Sequence, residues 1–89
     1  MTPARLVQYA RQRCSLCHDM DDALDSHFGD AISVERRDVD ACPEWTERYG
    51  WDVPVLTTES GEELCRHQLD VAAVRHWLQG RDASSARSP

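Results

Sequence analysis

The sequence predicts a single α/β domain with the element order β-α-β-α-β-β-α, in which a four-stranded mixed sheet is flanked by three helices. The first half alternates apolar strand runs with helical patterns, and the second half holds two strand runs around a turn, followed by a helix. The length agrees with this, because 89 residues of which 40% are hydrophobic suit one small domain with one core.

The first half of the chain predicts a pair of parallel strands. Residues 6–9 form a short apolar run, and residues 17–28 carry apolar side chains at three- and four-residue steps. Gly29 is a natural end for this helix. Residues 32–36 alternate apolar and polar side chains, as a half-exposed strand does. Two strands separated by a helix require a parallel pairing with a right-handed crossover.

The second half predicts a helix, a hairpin and the start of a closing helix. Pro43 suits the first turn of the second helix, and Gly50 suits its end. Residues 53–58 and 63–66 are strand runs on either side of a polar turn. Asp70 is placed to cap the last helix, because its carboxylate can accept a hydrogen bond from a free N–H of the first turn.

The end of the chain predicts a tail. The last helix has an apolar face, and Gly80 should end it. Residues 81–89 are rich in Ser, Ala and Arg and have nothing to bury, so we expect them to be mobile. The sequence therefore divides into a domain over residues 1–80 and a flexible tail over residues 81–89.

The charge balance and the absence of long apolar runs bear on the class of protein. The formal net charge is −6, whereas nucleic-acid modules need a basic face that neutralises phosphates. No run approaches the roughly 20 apolar residues of a membrane span, and the first residues lack the apolar core of a signal peptide. We therefore expect a cytoplasmic monomer that binds neither nucleic acid nor a membrane, in a compartment that keeps thiols reduced.

The Cys-x-x-Cys motif of Cys14 and Cys17 is the candidate redox centre. Cys14 lies between a predicted strand and a predicted helix, where free N–H groups and the helix dipole stabilise a thiolate. Such positions lower a cysteine pKa from about 8.5 into a range of roughly 3.5–7.5, and Arg11 and Arg13 would add to the effect. Cys17 lies one turn further along the same side of the helix. We therefore expect Cys14 to be the nucleophile and Cys17 the resolving thiol.

Three other interpretations of this motif compete with redox chemistry. His18 completes the Cys-x-x-Cys-His signature of c-type haem attachment, although that chemistry usually needs export. One Cys-x-x-Cys is half of a structural zinc site, but Cys42 and Cys65 are far apart in the sequence and make no second close pair, so we expect no metal ligands. The third interpretation is a domain whose cysteines are simply buried.

The Val53-Pro54 step is the second informative feature. A proline at the beginning of a strand is confined to edges and special turns. Its position in the element order favours a cis bond beside the cysteine pair, although trans is the default for any X–Pro bond. Val53 would then offer its backbone N–H and C=O to an extended substrate, as one added strand rung.

These features together resemble the glutaredoxin family of the thioredoxin-like superfamily, over residues 5–79. The matching parts are the first strand, the Cys-x-x-Cys motif, residues 52–56 and the closing helix. The chain looks closest to a small bacterial branch that carries Asp-Val-Asp before the second helix and Arg-Tyr-Gly before the Val-Pro step, as residues 38–40 and 48–50 do here. This resemblance implies a thioredoxin-like fold and leaves the substrate open.

The resemblance also implies a way of binding glutathione. Glutaredoxins use a basic residue three positions before the first cysteine, a Thr-Val-Pro segment and a Gly-Gly-x-Asp stretch before the last helix. Arg11 matches the first, and Val53 with Pro54 matches most of the second. Asp52 replaces the threonine, and residues 66–68, Arg-His-Gln, replace the glycines whose backbone would hold a carboxylate. Arg11, Val53 and Pro54 are therefore the candidate substrate-binding residues.

The sequence supports two hypotheses of function. The first is a thiol–disulfide oxidoreductase in which Cys14 attacks a disulfide and Cys17 releases the product. It would need no cofactor. Its partner would be a disulfide-containing protein or glutathione, and glutathione would also be a candidate reductant. The second is a binding module that keeps the fold without efficient turnover.

Overall fold

The computed structural model describes residues 2–87 and confirms the predicted α/β architecture. The elements occur in the predicted order, with short 3₁₀ turns at Gly29–Ala31 and Val39–Ala41. They are β1 (Ala4–Ala10), α1 (Ser15–Phe28), β2 (Ile32–Asp38), α2 (Pro43–Tyr49), β3 (Val55–Thr58), β4 (Glu63–Arg66) and α3 (Val71–Arg87).

The four strands form one mixed sheet in the order β2-β1-β3-β4. β1 pairs with β2 in parallel, as the crossover through α1 requires, and the pairs β1–β3 and β3–β4 are antiparallel. Tyr9 near the end of β1 is opposite Val55 at the start of β3. The segment that follows β1 and the segment that precedes β3 therefore lie at the same edge of the sheet.

The sheet separates two apolar clusters because side chains alternate between its faces. One cluster joins the sheet to α1 and α3, and its buried residues are Ala4, Leu6, Met20, Leu24, Ile32, Leu56 and Val74. The other joins the sheet to α2 and the preceding turn, and its buried residues are Val7, Tyr9, Val39, Tyr49 and Val55. The domain is thus a three-layer structure with α1 and α3 on one face and α2 on the other.

Helix α1 begins and ends where its local chemistry requires. Cys14 is the N-cap, in an extended conformation, and its sulfur accepts a hydrogen bond from the backbone N–H of Cys17. Gly29 has a φ of 47° and donates its N–H to the carbonyl of Asp25. A positive φ is costly for residues with a Cβ, so glycine suits this helix end. The N-terminus of α1 therefore lies at the first cysteine of the motif.

Helix α3 begins as predicted and does not end as predicted. The carboxylate of Asp70 accepts from the N–H of Ala73 at 3.0 Å. The helix runs through Gly80 to Arg87, so the prediction that Gly80 ends it is wrong. A glycine inside a helix costs only about 1 kcal/mol relative to alanine, and the segment after it contains good helix formers. The mobility of residues 81–89 stays a prediction, and residues 88 and 89 lie outside the described residues.

Strand β3 is shorter than the predicted run of residues 53–58, because it begins at Val55. Pro54 has no N–H to donate to a neighbouring strand, which fits its place just before the ladder. Between residues 2 and 87, no helix has the combination of length and apolar character that crossing a membrane requires.

Candidate functional site

The cysteine pair lies at the junction between β1 and α1. Sγ of Cys14 is 3.2 Å from the backbone nitrogen of Cys17, and the carbonyl of Cys14 accepts from His18 N at 3.2 Å. A sulfur at an N-cap therefore faces a free N–H of the first turn and the positive end of the helix dipole. This is the position that the sequence predicts for the nucleophile.

The two cysteines are joined as a disulfide, with their Cα atoms 5.2 Å apart. That separation lies inside the usual range for disulfides. Cys14 is half-buried, whereas Cys17 is 0% exposed. Solvent can therefore reach Cys14 and not Cys17, and the division into an attacking and a resolving cysteine stays a prediction.

The Val53-Pro54 bond is cis, as the sequence analysis favours. Pro54 is buried, and Val53 is half-buried against the cluster under α2. Because Val55 is opposite Tyr9, the step lies at the sheet edge from which the cysteine loop emerges. The structure thus brings this predicted segment to the same end of the molecule as Cys14.

Arg11, a predicted substrate-binding residue, lies in the cysteine loop and already has partners. Its Nε and Nη2 donate to the two carboxylate oxygens of Asp40 at 3.1 and 3.3 Å, and its Nη1 donates to the carbonyl of Gly50 at 3.1 Å. A Cβ at Gly50 would clash with the carbonyl of Thr46 and lie 3.2 Å from Arg11 Nη2, so glycine permits this approach. Arg11 therefore ties the cysteine loop to the end of α2.

The two departures from the glutaredoxin pattern meet each other in space. Asp52 accepts from Arg66 Nη1 at 3.0 Å and lies 3.3 Å from His67 Nε2. The N–H of His67 also donates to the carbonyl of Pro54 at 2.8 Å. The carboxylate that replaces the expected threonine thus contacts the side chains that replace the expected glycines. Sequence reasoning missed this pairing, for which no local signal exists.

Two residues near the cysteines adopt left-handed backbone conformations without being glycine. Arg13, next to Cys14, has a φ of 58°, and His67 has a φ of 68°. Such angles are uncommon for residues with a Cβ. At His67 the backbone therefore has the conformation that suits the glycine expected there, although the residue is histidine.

Comparison with family models decides which family carries this site. The model of the Glutaredoxin-like domain (DUF836) matches residues 5–79, which include both cysteines, the Val53-Pro54 step and most of α3. The chain belongs to this glutaredoxin-like family. A comparison of the glutaredoxin-like chain with curated proteins gives no match.

Solved structures agree with the family. The glutaredoxin-like chain is similar to protein XcR50 from X. campestris, with 29% identity, a TM-score of 0.69 and coverage of 84% of this chain and 96% of that one. It is similar to protein Ne2328 from Nitrosomonas europaea, with 28% identity, a TM-score of 0.72 and coverage of 86% and 93%. Thioredoxin 1 from Thermosipho africanus, at 16% identity, has a TM-score of 0.58 and coverage of 88% and 98%, which shows the thioredoxin-like fold.

Electrostatics beside the Val53-Pro54 step are dominated by Arg66. Its guanidinium also binds Glu63 through two hydrogen bonds of 2.7 and 2.5 Å. The hydrogen bond from Arg66 lowers the pKa of Glu63, and the same contact raises the pKa of Arg66. Two carboxylates, of Asp52 and Glu63, therefore share one guanidinium at the end of β4 in the glutaredoxin-like domain.

Gln8 is a buried polar residue directly beneath the cysteine pair, and sequence reasoning did not single it out. It is 0% exposed in the central strand β1, and its Nε2 donates to the carbonyl of Cys17 at 3.2 Å. Its Oε1 is buried and has no hydrogen-bond partner among the described residues. The available signal was a glutamine inside an otherwise apolar strand run.

The remaining cysteines lie apart from the pair. Cys65 in β4 and Cys42 before α2 are free thiols, both half-buried. Burial raises the pKa of the Cys65 thiol, so it is less reactive than an exposed cysteine. In the part of the chain that the structure describes, no group of three or more His, Cys, Asp or Glu residues could hold a metal ion.

Proposed function

We propose that this glutaredoxin-like domain is a thiol–disulfide oxidoreductase with Cys14 as nucleophile and Cys17 as resolving thiol. One observation carries the proposal: a half-buried cysteine at the N-cap of α1 is joined as a disulfide to a fully buried cysteine one turn further on. Membership of the glutaredoxin-like family supports the same chemistry. A reducing compartment, such as the cytoplasm, would return the pair to the dithiol form.

The first step is attack by the Cys14 thiolate on a substrate disulfide. A bond forms between Cys14 Sγ and one substrate sulfur, the substrate S–S bond breaks, and the second substrate sulfur leaves as a thiolate that takes a proton from water. The N–H of Cys17, which points at Cys14 Sγ, stabilises the negative charge on that sulfur before the attack. The product of this step is a mixed disulfide on Cys14.

The second step releases the substrate. Cys17 loses its proton, attacks Cys14 Sγ and forms the intramolecular disulfide, while the remaining substrate sulfur leaves as a thiolate. The burial of Cys17 supports this role, because an outside disulfide cannot reach it, whereas Cys14 is within bonding distance. An external dithiol or two glutathione molecules then supply two electrons and two protons, which restore both thiols.

The substrate would lie across the edge where the cysteine loop and the Val53-Pro54 step meet. The backbone of Val53 would pair with an extended segment, as one added rung. Arg11 would contribute positive charge, although its guanidinium already binds Asp40 and the carbonyl of Gly50. Both a protein disulfide and a glutathione disulfide fit this description, with glutathione also a candidate reductant.

Reduction of a protein disulfide and of hydroxyethyl disulfide tests the proposal. Cys14→Ser should abolish both activities, and Cys17→Ser should abolish reduction by the two-cysteine route while leaving a trapped mixed disulfide on Cys14 that mass spectrometry detects. Cys42→Ser and Cys65→Ser are matched controls, since both thiols lie outside the pair, and both should keep wild-type rates. Wild-type activity in Cys14→Ser, or no exchange by the wild type, would contradict the proposal and favour a binding module.

A further inference from the structure

The buried amide of Gln8 lies next to the cysteine pair, and its hydrogen bonding is incomplete among the described residues. The carbonyl of Cys17 can only accept, so the amide must present Nε2 to it, which leaves Oε1 as the atom without a partner. Both Gln8 and Cys17 are 0% exposed. The incomplete group is therefore enclosed together with the resolving cysteine.

An enclosed acceptor without a donor is costly, and it is rare in folded proteins. A redox or catalytic role is one of the explanations for such a group in a native structure, beside backbone strain and a bound water or ion. An apolar side chain would fill the same space in the strand without the unpaired atom. The presence of glutamine thus calls for a second state in which Oε1 is paired.

Chemistry at the neighbouring cysteine supplies such a state. In the disulfide form Cys17 Sγ carries no hydrogen and can donate nothing. Reduction creates an S–H on Cys17, and breaking the S–S bond frees that sulfur to turn about the Cα–Cβ bond between staggered rotamers. The dithiol form therefore has a donor that the disulfide form lacks, inside the same enclosed space.

We infer that Gln8 sets the redox balance of the Cys14–Cys17 pair by accepting a hydrogen bond from the Cys17 thiol in the dithiol form. This inference rests on the proposed function, because it needs a pair that cycles between dithiol and disulfide. The hydrogen bond from Gln8 Nε2 to the Cys17 carbonyl exists in both forms, so it holds the helix against the strand without favouring either. Only the bond to Oε1 distinguishes them, and it stabilises the dithiol.

The equilibrium can be written so that atoms and electrons balance. A probe dithiol, dithiothreitol, gives two electrons and two protons to the disulfide; its sulfurs join as a cyclic disulfide, and Cys14 and Cys17 become thiols. One of those protons lies on Cys17 Sγ and points to Gln8 Oε1. Removing the acceptor raises the free energy of the dithiol form alone, and the equilibrium moves toward the protein disulfide.

Redox titration of the wild type and Gln8→Met against dithiothreitol measures this shift. Methionine has a similar length and shape but lacks the amide. A net hydrogen bond of ordinary strength corresponds to a shift of about threefold to tenfold in the equilibrium constant, in favour of the disulfide, and tenfold is about 30 mV for a two-electron couple. A shift within error of zero, as expected if a bound water pairs Oε1 equally in both forms, or a shift toward the dithiol, would overturn the inference.

Gln8→Glu gives a second measurement that does not depend on the folding of the methionine variant. An ionised carboxylate accepts a stronger hydrogen bond than an amide does. The titration of Gln8→Glu should therefore shift toward the dithiol, opposite to Gln8→Met, at a pH where the carboxylate is ionised. Equal shifts of both variants in one direction would mean that the side chain acts only through packing, and the inference would fail.

Thr57→Val is the matched control for the loss of a buried hydrogen bond. Thr57 lies in the adjacent strand β3, is 1% exposed, and donates from its hydroxyl to the carbonyl of Thr58 at 2.9 Å. Its variant should unfold more easily without moving the redox equilibrium. If the wild type itself fails to exchange with dithiothreitol, the proposed function fails; if it exchanges normally and Gln8→Met titrates identically, only the role of Gln8 fails.

Discussion

Arg13→Gly should make the protein more stable while removing a positive charge next to Cys14. Arg13 has a φ of 58°, and it lies directly before Cys14. A residue with a Cβ in the left-handed region is destabilised by about 1–2 kcal/mol, which glycine avoids. Glycine in turn loses more backbone entropy on folding, about 0.5–1 kcal/mol. The difference predicts a net gain of about 0.5–1 kcal/mol.

Urea unfolding of the oxidised protein measures this gain. For a domain of this size the free energy of unfolding falls by about 1 kcal/mol per molar urea, so the midpoint should rise by about 0.5–1 M. The disulfide must stay intact in both proteins, because its reduction would change the unfolded state. The slope of the transition should not change, since the same surface is exposed on unfolding.

Arg13→Ala separates backbone strain from charge. Alanine removes the guanidinium as glycine does, but it keeps the Cβ and therefore the strain. The alanine variant should unfold at the wild-type urea concentration or below it, whereas the two variants should share any change in the rate of thiol–disulfide exchange. Equal midpoints for the glycine and alanine variants would refute the argument from φ.

Three further predictions concern the core, a helix cap and an ion pair. Leu24→Ala should lower the free energy of unfolding by about 2–5 kcal/mol in thermal denaturation, because Leu24 is 2% exposed, whereas Leu16→Ala at a side chain 44% exposed should cost far less. Asp70→Ala should cost about 1 kcal/mol through loss of the cap on α3, and Asp70→Ser should restore most of it in the same assay. Arg66 lowers the pKa of Glu63, so this pair stabilises the fold above the unfolded pKa of about 4.3, and the contribution disappears as the pH falls through the lower folded pKa. Glu63→Gln should therefore unfold more easily than the wild type at pH 7, and this difference should shrink as the pH falls below about 4.3. Glu62→Gln removes the neighbouring carboxylate and is the matched control.

Local patterns in the sequence were sufficient for most of the fold. The periodicity of residues 17–28 located α1, and the run of residues 63–66 located β4 with its exact bounds. The position of Cys14 before a helical pattern put it at the start of α1, and the structure has it as the N-cap of that helix. Each of these inferences depends on residues within one turn or one strand of each other. The incorrect prediction that α3 ends at Gly80 has the same origin, because glycine is a frequent stop signal that a helix can nevertheless include.

Contacts across the sheet were out of reach of the same reasoning. Gln8 and Cys17 meet because β1 packs directly under α1, and nothing in the run of residues 6–9 indicates which face the glutamine occupies. A one-residue change of register would turn it away from the cysteine. Sequence analysis could therefore identify the candidate cysteine pair, and only the structure could identify the amide beneath it.

Asp52 shows why the departures from the glutaredoxin pattern belong together. Taken singly, a carboxylate beside the Val53-Pro54 step would repel an anionic ligand. Bulky side chains at positions 66–68 would hinder access to the backbone that holds the ligand's carboxylate in glutaredoxins. The antiparallel pairing of β3 with β4 puts Val55 opposite Arg66, which brings Arg66 and His67 to Asp52. The carboxylate is thereby neutralised by a guanidinium, while the N–H of His67 is bound to the carbonyl of Pro54. A ligand bound at this edge would therefore meet an ion pair in place of the threonine and glycines, and a carboxylate on that ligand would compete with Asp52 for Arg66.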